Sequence, residues 1–322
     1  MSLETETVLD RRRLRRHLSL WRSLAVIAGV IALGVMVSMR DGKVGFGQPQ
    51  QIARITIEGM ITEDRAQLEM LRRIADAKHV EGVILFVNSP GGTTTGGEAL
   101  FEGLRKISEK KPIVAQFGTL AASAGYIVGL GTDHIVARGN TITGSVGVIM
   151  QWPEVSELLA KLGVKMNEIK SGTLKASPSP FQPADEPSKQ VARDMIMEGQ
   201  RWFLSLVTTR RNVKTAEIPG LEQGRVFSGR EAQTLKLVDE IGGEAEAVRY
   251  LQDKRNVTKE LKIVDWKPKR PSEWPLGGAD SSIFGWVAGR IFGEIGTRLA
   301  QDPNLGQVGL DGMVSVWHPG KN

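Results

Sequence analysis

The chain has 322 residues, 41% of them apolar and 24% charged, enough to bury a substantial core and inconsistent with wholesale disorder. It contains no cysteine, which excludes disulfides, thiol nucleophiles and thiolate metal sites together. The net charge of +6 is uneven: six arginines (Arg11, Arg12, Arg13, Arg15, Arg16 and Arg22) stand against Glu4, Glu6 and Asp10, so half the excess lies in a short leading tail, which argues against a nucleic-acid surface on the body.

Residues 23–39, "SLAVIAGVIALGVMVSM", carry no charge and come directly after this basic tail. Seventeen apolar residues reach the short end of what spans a bilayer, and arginines on the near side hold that side in the cytoplasm. The exit "MVSMRDGKVGFG" lacks a small-residue cleavage site, so an uncleaved signal-anchor is favoured over a cleaved leader. The expectation is a cytoplasmic tail at 1–22, a single transmembrane helix at 23–39 and a linker at 40–51, with everything beyond on the far side of the membrane.

From residue 52 strand and helix patterns alternate. "ARITIEGMI" (53–61) alternates as a strand, and "EDRAQLEMLRRIADAKH" places Leu68, Leu71 and Ile74 on one helical face. "GVILFVN" (82–88) is the continuous apolar run of a parallel strand buried on both faces. Next come a helix in "EALFEGLRKISEKK", a strand in "PIVAQFG" (112–118), a helix in "AASAGYIVGLG" and a strand in "HIVAR" (134–138). Further strands are expected in "SVGVIMQ" (145–151) and "KMNEIKSG" (165–172), flanking the helix "VSELLAKLG". Residues 173–188 form a Pro- and Ser-rich loop long enough to suggest a functional role, and a long helix spans about 189–212. The pattern predicts one α/β domain over 52–265, a parallel or mixed sheet covered by helices. The tail, 266–322, is less regular. An amphipathic stretch there aligns Phe284, Val287, Ile291, Ile295 and Leu299, suited equally to a membrane or subunit contact and to packing on its own domain.

Two corners carry candidate chemistry. "VNSPGG" (87–92) reads as a strand ending at Asn88, turned by Pro90 and freed by Gly91 and Gly92, whose N–H groups could face an anion or oxyanion; a plain glycine-rich turn fits as well. Ser123 lies on "AASAG", where a strand passes into a helix. It is either a small residue at a tight contact or a nucleophile whose neighbour Ala124 offers an oxyanion N–H beside that of Gly92. A serine nucleophile needs a base. His17 is in the leading tail, His318 is close to the C-terminus, His79 ends a surface helix, and His134 opens a strand at the sheet edge away from the corners. The remaining class of base is lysine, which works near neutrality only where burial favours its neutral form, at a cost on the order of 4 kcal/mol. Lys175, in "SGTLKASPSPF", lies between Leu174 and Ala176 ahead of two stiffening prolines, although a loop lysine is ordinarily solvated.

Taken in order, "FVNSPGG", "AASAGY", "TGSVGVI", "KSGTLKASPSPF" and "GRVFSGREAQTLKLVDEIGG" resemble the signal peptide peptidase A family, membrane-anchored Ser-Lys peptidases of ClpP/crotonase-like fold, in its short half-length form. The resemblance covers about 52–265, and the Lys175 segment selects this branch of the fold. It implies Ser123 as nucleophile, Lys175 as general base, Ser145 as the hydroxyl that orients the lysine, and Gly92 and Ala124 as oxyanion donors. No metal or cofactor is implied. It further implies remnant signal peptides and other unfolded or membrane-associated peptides as substrates, the periplasmic face of the bacterial inner membrane as the location, and an octamer whose sites are shared between subunits. Lys236 departs from the family, where a glycine is usual. The alternatives are a crotonase-type acyl-CoA enzyme and a catalytically silent membrane scaffold.

Overall fold

A computed structural model describes residues 21–29, 49–269 and, for the backbone, 314–316. Residues 21–29 are helical and belong to a unit separate from the one that begins at Gln50. Among the described residues no helix is long and apolar enough to cross a membrane, and most of the expected span at 23–39 lies outside them.

The second unit is built on a nine-stranded sheet, and its chain order sets where the corners fall. Strand β1 (Gln51–Ile61) pairs parallel with β2 (Val80–Thr93), and β2 with β3 (Ile113–Ala122). The crossovers are α1 (Arg65–Asp76) and α2 (Thr94–Ser108). Asp64 starts α1 by accepting from the Ala66 and Gln67 amides, and the helix buries Met70, Leu71, Ile74 and Ala75, the face read from the sequence. The Thr93 hydroxyl accepts from the Gly96 amide to start α2, which buries Leu100, Leu104 and Ile107. The fully buried Val83, Ile84, Leu85 and Val87 explain the unbroken apolar run of β2.

The strands do not run straight. Register shifts fall at Glu58/Met60 in β1 and Val87/Ser89 in β2, and the two halves of β3 take different partners. Val114–Phe117 pair with β4 (His134–Ala137), while Leu120–Ala122 pair with β5 (Ile142–Gly144). Such bulges bend a strand and re-aim its last residues. After β3 comes the seven-residue α3 (Ala124–Leu130), wholly buried. The remaining elements are α4 (Ser156–Lys161), the long α5 (Glu186–Arg211), β6 (Val226–Ser228), α6 (Gly229–Thr234), β7 (Glu240–Ile241), α7 (Glu244–Arg255), β8 (Lys262–Trp266) and β9 (Val314–Val316). β6 joins β5 antiparallel, β8 flanks β1, and β9 pairs antiparallel with β2.

Three local expectations are corrected. β2 does not end at Asn88; it stays extended through Pro90, Gly91 and Gly92 to Thr93, because β1 and β9 both pair with it there. The strand expected at 145–151 lies three residues earlier, at Ile142–Gly144, where β3 and β6 offer partners. Residues 165–172 form no strand, since no neighbouring strand pairs with them in one chain, and Met166 and Ile169 stand exposed.

Candidate active site

β2 and β3 are parallel neighbours, so both corners arrive at one end of the sheet. Ser89 pairs with Ala121, two residues before Ser123. A Cβ on Gly125 would sit 2.9 Å from the Ser89 carbonyl oxygen, and one on Gly97 would sit 3.2 Å from the Ala124 Cβ. Only small residues allow α3 to start this close to β2 and α2. Gly92 is constrained in the same way, for its Cβ would overlap the Ile61 carbonyl oxygen of β1. In "SPGG", then, Gly92 serves strand packing and Gly91 supplies a positive φ of 116° within β2, not a turn.

Ser123 is 1% exposed and caps the start of α3 with φ 58° and ψ −121°. A non-glycine residue in such a region stores on the order of 1–3 kcal/mol, held here by the surrounding structure. Its amide donates to the Gly144 carbonyl at 2.9 Å, and its own carbonyl accepts from Tyr126 and Ile127. Ala124, as the first residue of α3, has no intrahelical carbonyl for its N–H. Ser145 comes directly after Gly144, is buried, and has φ 53°; its amide donates to the Arg225 carbonyl at 2.9 Å. The structure thus brings together Ser123, Ala124, Ser145 and the Gly92 strand.

Lys175 is not brought to them. It is exposed in the loop after α4, where its amide donates to the Gly172 carbonyl at 3.1 Å. Ser123 and Ser145, by contrast, are buried. His134 sits at the other end of the sheet, paired with Val114 at the start of β3. That is eight residues from Ala122, roughly 25 Å along the strand. Its ring stacks on Tyr250 at 4.1 Å and lies 3.4 Å from Glu240 and 3.8 Å from Asp239. His79 stacks on Trp266; burial, and secondarily the charge of Lys111, hold its pKa below the usual histidine value. Neither histidine reaches Ser123. His17 and His318 lie outside the described residues.

Two residues of the corner carry roles that the sequence did not single out. The buried Ser89 hydroxyl donates to the Gly59 carbonyl at 2.6 Å and accepts from the Gly91 amide at 3.1 Å, fixing the backbone ahead of Gly92. The Asn88 side-chain oxygen accepts from the Leu120 amide at 3.2 Å, bridging β2 and β3 where their ladder is broken. A short polar pair directly before Pro-Gly-Gly is the signal that points to both.

A bent parallel sheet that delivers a strained, buried serine beside the Gly92 strand is the arrangement of a serine peptidase of ClpP-like fold, and the comparisons bear that class out. The Clp protease family model matches residues 50–141, covering both corners, and the peptidase family S49 model matches 105–258. A putative protease of Synechocystis sp. is 34% identical over 203 residues, 62% of this chain and 73% of that protein. Protease 4 of Haemophilus influenzae is 33% identical over 233 residues, 69% of this chain but 37% of that protein. A putative signal peptide peptidase SppA of Enterococcus faecium is 29% identical over 289 residues, 77% of this chain and 84% of that protein. The chain belongs to peptidase family S49, the signal peptide peptidase A family.

Proposed function

We propose that the chain hydrolyses peptides with Ser123 as nucleophile and Lys175 of a second copy as general base. The observation that carries this is the corner itself: a buried serine at φ 58° starts α3 beside the Gly92 strand, while the lysine in the matching motif stands exposed on its own loop. A neighbouring copy would supply the missing base and cover it.

In the reaction, a neutral Lys175 amine takes the Ser123 hydroxyl proton as the oxygen attacks the substrate carbonyl. The N–H groups of Gly92 and Ala124 hold the tetrahedral oxyanion, an arrangement in which each donor contributes on the order of 10²- to 10³-fold in rate. The ammonium then protonates the leaving amine, leaving an acyl-serine. Water, deprotonated by the same lysine, attacks that ester and returns Ser123 to its hydroxyl form. Ser145, tethered beside Ser123 through Gly144, orients the lysine amine. The basic tail, the apolar run at 23–39 and the likeness to a signal peptide peptidase favour apolar, membrane-released peptides as substrates and an anchor in the bacterial inner membrane.

The test is co-assembly of two inactive variants. Ser123→Ala and Lys175→Ala are each expected to lower kcat on an apolar fluorogenic peptide by at least about 10³-fold. Co-expressed in equal amounts, they form a site from an intact serine and an intact lysine in about one quarter of random head-to-tail pairings. Recovery of that fraction supports the shared site. No recovery places serine and lysine in one chain, and an active Lys175→Ala removes the lysine from the chemistry.

A further inference from the structure

The motif "GRVFSG", residues 224–229, lies far beyond the serine corner in sequence and supplies β6, the antiparallel partner of β5. Val226 pairs with Gly144 and Phe227 with Thr143. Next to this ladder the Ser145 amide donates to the Arg225 carbonyl at 2.9 Å, while the Gly144 carbonyl accepts from the Ser123 amide, also at 2.9 Å. That carbonyl and the Ser145 N–H are the two ends of one peptide bond. A peptide bond is planar and trans, so its two ends point in opposite directions and turn together. A single rigid plane therefore joins the serine proposed as nucleophile to the serine proposed to orient the base, and Arg225 holds its far end.

The plane does not hold itself. Gly144 has φ 84° and Ser145 φ 53°, a region that glycine enters freely and that a serine keeps only where its surroundings fix it. β6 presses on the plane directly: a Cβ at Gly144 would lie 2.6 Å from Phe227 Cδ2 and 3.0 Å from the Arg225 carbonyl oxygen. Arg225 is in turn fixed at several points. Its amide donates to the Gly220 carbonyl at 3.0 Å, and its Nη1 to the Pro219 carbonyl at 3.4 Å. Its Nη2 donates to the Glu231 carboxylate of α6 at 2.7 Å, and the guanidinium carbon lies 4.7 Å from the ring centre of the buried Phe227. Ser228 closes the circuit, its hydroxyl accepting from the Glu231 amide to start α6. The side chains of Arg225 and Glu231 are 45% and 38% exposed, and a pair so open to water contributes little to global stability. Its effect is local, on where one carbonyl oxygen sits.

We propose that Arg225 is a positioning residue of the active site: its side chain, held by Glu231 and Phe227, fixes its own carbonyl against the Gly144–Ser145 peptide plane and so sets the placement of Ser123 relative to Ser145. The catalytic consequence rests on the peptidase reading; the clamp on the plane does not. Misplacing a reacting group by about 1 Å costs up to about 10²-fold in rate. A plane free to rock therefore slows the chemistry and leaves substrate binding nearly as it was.

The experiment compares the full chain with Arg225→Ala, Arg225→Lys and Glu231→Gln. Arg225→Ala keeps the backbone carbonyl and removes everything that fixes it from the side chain. The expected result, per folded molecule and well below Tm, is a kcat on an apolar fluorogenic peptide about 5- to 20-fold lower than wild type, with KM within about twofold. Glu231→Gln is expected to lower kcat in the same sense by about 2- to 5-fold, and Arg225→Lys, which still reaches Glu231, to recover part of the loss. An unchanged kcat in Arg225→Ala overturns the positioning role while the peptidase reading stands. Amide hydrogen exchange, read by mass spectrometry, tests the clamp apart from hydrolysis. In Arg225→Ala, peptides containing Ser123 and Ser145 are expected to exchange at least about 10-fold faster, while Val83–Val87 of β2 keep the wild-type rate. That selective gain supports the clamp even if the wild type hydrolyses no peptide. Exchange that is unchanged at the corner, or that rises equally in β2, overturns the proposal even if kcat falls, because the loss is then one of global stability or of another contact.

Discussion

Two residues with a positive φ serve different ends. Ser123 has φ 58° and Lys236 φ 60°, in a region where a side chain costs about 1–2 kcal/mol relative to glycine. At Lys236 nothing depends on the side chain: it stands exposed, and its carbonyl, which accepts from Arg211 at 2.8 Å, would be kept by any residue. Lys236→Gly is therefore expected to stabilise the domain by about 0.5–1 kcal/mol, read as a higher Tm, with activity unchanged. Ser123→Gly relieves the same strain and is expected to raise Tm while abolishing hydrolysis. If Ser123→Gly instead lowers Tm, the corner is not strained and the serine is held there by packing alone. The sequence announced both positions, the first as the only hydroxyl on a small-residue corner, the second as a lysine where the family carries glycine. What it could not announce is that Gly91 and Gly92 lie in a strand, because Pro-Gly-Gly is a turn signal whenever its pairing partners are out of view.

At the scale of elements, the serine depends on a helix that could not exist alone. α3 has seven residues, well below the roughly 12–15 at which isolated helices become marginally stable. Its neighbours hold it at both ends. Gly125 packs on Ser89 at the start, and in the middle the buried Tyr126 hydroxyl donates to the Leu237 carbonyl at 2.8 Å. Burial raises the Tyr126 pKa above the ordinary phenol value, which keeps that donor protonated. At the far end Arg210 of α5 donates from Nε to the Leu130 carbonyl and from a terminal nitrogen to the Thr132 carbonyl, each at 2.9 Å. A cation at a helix C-terminus also complements the helix dipole. Arg210→Met keeps the stem and removes the fork. It is expected to cost about 2 kcal/mol of stability and, measured well below Tm, to lower kcat several-fold with KM little changed. Arg210→Lys should recover part of both. A kcat that tracks only the folded fraction would reduce Arg210 to a structural role. Helix periodicity located α5 in the sequence, but not which of its residues reaches α3, a contact 80 residues apart.

At the scale of the molecule, strand–helix alternation over 52–265 was enough to specify the fold class, because each crossover buries one helical face on a sheet apolar on both sides. The region around the lysine resisted the same reading: residues 165–172 form no strand and its apolar side chains stand exposed. Leu158, Leu162, Val164, Met166, Ile169, Leu174 and Phe181 are exposed along α4 and the loop after it, with Ile169 entirely in solvent. Met195 and Met197 of α5 are exposed as well. Exposed apolar residues this dense along one segment suit an interaction site, and Lys175 lies on the same loop, so the shared site proposed above makes a second copy of this chain the expected partner. Leu162→Asp with Ile169→Asp places charges where that copy would bury them, while in one chain both positions are solvated and the cost to folding stays within about 0.5 kcal/mol each. The double variant is expected to elute as a monomer in size-exclusion chromatography, to melt as the wild-type domain does when the wild type is diluted to monomer, and to lose peptidase activity although Ser123 and Lys175 are untouched. A variant that stays assembled and active would mean that the apolar loop serves another surface and that the base reaches Ser123 within its own chain.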